Sequence, residues 1–311
     1  MRENNSISET KRIARDINPV LITVILSVLV IIPQYLLGLL TGLARKSDLM
    51  EGVVSFIENN DLFFLLIVYN TALTLILAYI FAKKILKRTD LSLGLVDDNK
   101  IKSYRKGVLL GFGLLTIILL ILKFTDFARI DKNSNGFNLK LFLIFLPAWM
   151  IQGFEEEFLL RGILMNQMAA RGNIWVAILA NSIIFSVFHL GNAGFDLMAS
   201  INIFLIGLIF SLLFYIKDSL YLAGAAHSFW NMAMANIYGI PVSGYDSTRV
   251  SLFTTSLKGP DIMSGGAFGL EASIITSLVL GLVLIYLITK IKKKGAVAEL
   301  INRPNITRGS Q

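Results

Sequence analysis

Long uncharged apolar runs, separated by short charged clusters, constrain this chain more than any other feature. A helix needs about 20 consecutive apolar residues to cross a bilayer. Runs of that kind recur near 18–42, 62–82, 107–124, 141–168, 174–192, 197–216, 219–238 and 270–290. They predict an all-α polytopic membrane protein with about eight transmembrane helices. Composition points the same way, with 55% hydrophobic and 16% charged residues, against roughly 45–50% and 25% in soluble domains. A soluble enzyme, a secreted disulfide scaffold and a disordered chain are excluded.

The first run is too long for a signal-peptide core and lacks a small-residue cleavage pattern after it, so it reads as a retained helix. With no cysteine in 311 residues, disulfides, thiolate metal sites and cysteine nucleophiles are ruled out together. The net charge of +8 sits beside the apolar runs, where it suits anionic lipid and topology control rather than nucleic acid. With the N-terminus inside, 20 of the 29 Lys and Arg fall on inside segments and 8 on outside ones, Arg161 lying within a span. That split favours both termini in the cytoplasm of a multi-pass protein. Three parts are expected: a cytoplasmic segment 1–17, one transmembrane domain 18–292, and a polar tail 293–311.

Ionisable residues at membrane depth cost about 2.5–3.5 kcal/mol each on insertion scales, so each needs a reason. The only two histidines, His189 and His227, both fall in apolar segments, and Glu155, Glu156 and Glu157 lie midway along the fourth run with Arg161 beyond them. On a helix, residues four apart share a face. Arg161 can therefore hold Glu157, while Glu156, about 100° away, points into a cavity. Phe185 with His189, and His227 with Asn231, are two more pairs at this spacing. His227 and Asn231 could hydrogen-bond one oxygen. Glu155 has no such partner and is expected to face solvent or rim the cavity.

Glu156-Glu157-Phe158-Leu159-Leu160-Arg161 resembles the EExxxR motif of the CPBP family, the CAAX-protease and bacteriocin-processing (Abi-type) intramembrane endopeptidases. Phe185 to His189 resembles its FxxxH motif, and His227 to Asn231 its HxxxN motif. The three stand in the family's order over roughly residues 140–240, on the fourth, fifth and seventh spans. The resemblance implies an intramembrane protease in which Glu156 is the general base for water and His189 positions that water. His227 and Asn231 would stabilise the oxyanion, and Glu157, Arg161 and Phe185 would shape the site. It implies a membrane-bound protein or peptide as substrate, either a prenylated CAAX protein or a bacteriocin or pheromone leader. Nothing reads as an organelle-retention signal, which favours the plasma membrane of a bacterium and the second substrate class.

No metal is favoured, because no HExxH places two ligands and a base on one helix turn; a zinc ion, if present, would use Glu156, His189 and His227. Two other functions fit the same residues. A proton-coupled transporter could use Glu156, His189 and His227 as a relay, although no repeat of two matching halves is visible. An immunity or scaffold protein would keep the residues without turnover. One tension remains within the spans: His189 falls near the outer end of the fifth, whereas Glu156 and His227 fall near mid-membrane.

Overall fold

Side-chain caps start most of the long helices. Asn18 accepts from Val20 N, Asn138 from Leu141 N, Asn173 from Trp175 N, Asp196 from Ala199 N and Ser219 from Tyr221 N. Each cap satisfies a backbone donor that the first helical turn leaves orphaned. The computed structural model describes residues 4–59, 62–134, 136–245 and 250–301. Four of the arginines counted for topology (Arg2, Arg249, Arg303 and Arg308) and the tail beyond Ile301 lie outside these.

The chain opens with a short helix α1 (Asn5–Ile13), followed by α2 (Pro19–Ala44), α3 (Asp48–Asn59) and α4 (Leu62–Ile80). Next come α5 (Lys100–Phe124), a strand β1 (Ala128–Lys132) and α6 (Leu139–Glu157). α6 runs on through a π-helical segment, Phe158–Met165, into α7 (Asn166–Arg171). Then follow α8 (Ile174–Val187), α9 (Leu197–Lys217) and α10 (Leu220–Met232), the last extended by a π-helical Ala233–Tyr238. A strand β2 (Phe253–Leu257), a single turn α11 (Asp261–Ser264) and α12 (Ile274–Ile301) complete the described chain. β2 pairs antiparallel with β1, Ala128 opposite Leu257 and Lys132 opposite Phe253. This two-stranded ribbon is a minor addition to an all-α membrane protein.

Among the described residues five helices are long and apolar enough to cross a membrane: α2, α4 with its continuation to Ile85, α5, α9, and α12 as far as Lys293. The other three expected spans hold α6, α8 and α10, the helices with the three motifs. These are interrupted by π-helical turns, shortened, or loaded with carboxylates, and their neighbours shelter them. α10 lies between α5 and α6, and small residues permit the approach. A Cβ on Gly111 of α5 would stand 2.0 Å from the carbonyl oxygen of Ala226, and one on Gly153 of α6 would stand 2.4 Å from Ser228 N. With Gly107 four residues before it, also pressed against α10, Gly111 makes a small-xxx-small face of the kind that lets membrane helices touch backbone to backbone.

The N-terminal segment is anchored rather than trailing. Asp218, in the left-handed conformation that ends α9, accepts from Asn5 N at 2.7 Å and from the Ser6 backbone and hydroxyl. Burial pushes the Asp218 carboxyl up, and these hydrogen bonds offset part of the rise. Arg88, just past α4, is 2% exposed and donates to the carbonyl of Gly162 and to Ser92. Burial lowers its pKa to about 9, so it stays a cation at neutral pH.

Candidate active site

Glu157 and Arg161 form an ion pair at 2.9 Å with both side chains fully buried. The guanidinium has further partners, donating to the Gly207 carbonyl at 2.8 Å and to Ser211 Oγ at 3.3 Å, both on α9. It also lies over the rings of Phe185 and Phe210, 4.9 and 5.7 Å from their centroids. A buried pair offsets its desolvation only when its remaining donors are satisfied, and here they largely are.

The same carboxylate oxygen, Glu157 Oε1, stands 3.0 Å from His227 Nδ1. An ionised carboxylate only accepts, so Nδ1 carries the proton. That contact fixes the tautomer and the plane of the ring. Phe210 stacks on the imidazole at 4.9 Å and Phe185 meets it edge-on at 5.9 Å. His227 Nε2 is left facing Glu156 Oε2 at 3.8 Å.

Glu156 differs from Glu157 in one respect that matters for chemistry: its side chain is 25% exposed where that of Glu157 is 0%. It lines a cavity of about 320 Å³, together with His189, His227, Asn231 and Gln152. Gln152, four residues earlier on α6, donates to Glu156 Oε1 and accepts from Asn231 Nδ2 at 2.8 Å. One carboxamide therefore ties the α6 carboxylate to α10. Glu155 is 3% exposed and also lines the cavity, so of its two expected positions it takes the cavity and not the solvent.

His189 lies outside its helix. α8 ends at Val187, and His189 sits in the following turn, where its Nδ1 stays within 2.8 Å of the Phe185 carbonyl and its ring 4.8 Å from that of Phe185. His189 and His227 nonetheless line one cavity, and Phe185 touches both imidazoles. Fourteen helical residues rise about 21 Å, short of the roughly 30 Å hydrocarbon core.

Residues from the long connection between α10 and α12 cover one end of the cavity, and the sequence gives no sign of them as site residues. Glu271, 3% exposed, accepts from Trp230 Nε1 at 2.9 Å and from the backbone and hydroxyl of Ser243 at 2.9 and 2.8 Å. Asn192 donates to the Ser243 carbonyl at 2.9 Å. Gln152 and Glu271 are ordinary polar residues in sequence, and only their tertiary partners mark them. The one available signal for Gln152 is its position four residues before Glu156.

Among the described residues no three His, Asp or Glu side chains stand together closely enough to hold one metal ion.

Residues 138–233 match the family model of the type II CAAX prenyl endopeptidase Rce1-like proteins. The match begins at the cap of α6 and ends just beyond Asn231, so it takes in all three motifs and the four helices that enclose them. No curated protein and no solved structure matches the chain. The matched segment is similar to that of CAAX-type intramembrane endopeptidases, which supports a membrane-embedded protease.

Proposed function

We propose that this intramembrane endopeptidase hydrolyses a peptide bond of a membrane-associated substrate with a water activated by Glu156. The reading is carried by the contrast between adjacent carboxylates: Glu157 is locked into Arg161 and His227, and Glu156 opens to the cavity.

Glu156 takes a proton from water, and the hydroxide attacks the carbonyl carbon. His189, on the opposite wall, positions that water. Asn231 Nδ2 uses one hydrogen on Gln152 and has a second for the oxyanion. His227 contributes through Nε2, and since Nδ1 already donates to Glu157, the working form of the ring is imidazolium. Carboxylates at 3.0 and 3.8 Å from its two nitrogens balance that charge. When the intermediate collapses, the proton held by Glu156 passes to the departing amine. Each donor aimed at the oxyanion contributes about 2.7–4 kcal/mol to lowering the barrier, by the measure of single-donor deletions.

The site is reached at membrane depth, in a protein with both termini in the cytoplasm and, on this reading, in the plasma membrane of a bacterium. Its substrates are membrane-anchored leader or pheromone peptides, with prenylated CAAX peptides as the second class.

The deciding experiment is cleavage of both peptide classes by purified, chelator-treated protein, followed by mass spectrometry. Wild type should cleave one class, and Glu156→Gln should be slower by about 10²–10⁴-fold. Equal cleavage by the two proteins would remove Glu156 as the base. Proton-coupled uptake without cleavage would make the chain a transporter, and a cellular effect that survives Glu156→Gln would make it a scaffold.

A further inference from the structure

Among the described residues three carboxylates line the cavity, Glu155, Glu156 and Glu271, and no lysine or arginine does. Two of the three are accounted for. Glu156 is held by Gln152 and faces His227, and Glu271 accepts from Trp230 and Ser243. Glu155 is different. It is 97% buried, it reaches the cavity, and it makes no hydrogen bond or ion pair with any described residue. The nearest charge is Glu156, of the same sign, next to it in the chain.

A buried carboxylate without a counter-charge is costly, and an entering cation that pairs with it removes that cost. We infer that Glu155 forms a cation-accepting subsite, which selects substrates carrying an ammonium or guanidinium group beside the bond to be cut. This deepens the hydrolase reading and rests on it for the word substrate. The geometry has the required elements: Glu155 and Glu156 are consecutive on one helix and share one cavity, so a side chain paired with the first lies within a residue or two of a carbonyl presented to the second. Arg161 cannot serve as the missing cation, since it is fully buried and committed to Glu157.

The test uses the full chain in lipid nanodiscs and lipid-anchored peptides of one sequence, with lysine, norleucine or glutamate walked through successive positions. Binding is read by fluorescence anisotropy on Glu156→Gln protein, so that it does not depend on turnover, and cleavage is read on the wild type. At one register lysine should bind about tenfold more tightly than norleucine, and glutamate more weakly than either. Adding Glu155→Gln should bring the lysine-to-norleucine ratio within about twofold of unity. A ratio near one at every position, or a lysine preference that survives Glu155→Gln, overturns the subsite. Lysine binding no better than glutamate at every position on protein that keeps Glu155 overturns the subsite even if the Glu155 variant does not fold. Charge-selective binding with no cleavage would uphold the subsite and overturn the hydrolase reading, and cleavage without charge preference would do the reverse.

Discussion

α12 and α10 are both apolar helices of one bundle, yet α12 leaves Leu278, Leu282, Ile285 and Tyr286 at least 60% exposed while every residue of α10 from Ala223 to Ser228 is buried. In water the larger apolar side chains would be the buried ones. A lipid environment removes that preference, because hydrocarbon solvates leucine as well as a protein interior does. On α12 the bulky residues face outward, and the Ala223–Ser228 stretch of α10 is given to alanine, glycine, serine and His227. Burial along that stretch follows from close backbone approach and from the need to enclose polar groups.

Substitutions on the two kinds of helix should therefore differ in severity. The largest loss is expected inside, at the buried ion pair. Arg161→Met leaves Glu157 without its counter-charge, at a cost of about 3–5 kcal/mol. Thermal unfolding in detergent should show a fall of many degrees; a shift of only a degree or two would mean that the pair is not the anchor described. Next comes Gly111→Ala, where the added Cβ meets the Ala226 carbonyl at 2.0 Å. An overpacking loss of about 1–3 kcal/mol is expected, with reduced cleavage because Ala226 precedes His227. Unchanged stability and turnover would show that α5 and α10 can part without consequence.

A smaller effect is expected at the membrane edge, at Asp97. Burial alone would raise its carboxyl, but hydrogen bonds from Ser103, Asn99 and Ser219, together with Lys217 at 3.4 Å, outweigh burial and hold it below the usual 3.8. A depressed carboxylate contributes stability above its ordinary value, and that contribution is lost as pH falls through the lower folded value. Melting temperature should drop below about pH 4, and Asp97→Asn should flatten that part of the profile. Equal slopes in the two proteins would count against it. The smallest effect belongs to the outer face: Leu282→Ala, at a site 69% exposed, should change stability by no more than about 0.5 kcal/mol. A loss comparable to that of Gly111→Ala would mean that α12 packs against more than lipid.

The bundle was legible in the sequence because lipid imposes a simple rule, and the apolar runs map onto the helices within a few residues at most ends. The motif residues were legible for a related reason. Ionisable groups among apolar neighbours stand out, and the four-residue spacing of Glu157 and Arg161 carried the pair even though the π-helical segment begins between them. What could not be read depends on contacts distant in sequence. Gln152 matters because Asn231 is 79 residues away, and Glu271 because Trp230 is 41 residues away. The position of His189 past the end of α8 follows from where that helix stops, and hydropathy runs on smoothly through it.

The shortness of α8 has a consequence for the surrounding lipid. Val176, Leu179, Ile183 and Val187 form an exposed apolar stripe along one side of that helix, and it spans only about two-thirds of an average hydrocarbon core. Acyl chains next to α8 have to shorten or splay to match it, at a cost of a fraction of a kcal/mol per Å. A bilayer that matches this stripe would be thinner on the flank where His189 stands, which would bring headgroups and water toward that end of α8. Chain length in the host membrane becomes a control on hydration of the site, with short-chain lipids relaxing the mismatch and long-chain lipids sharpening it.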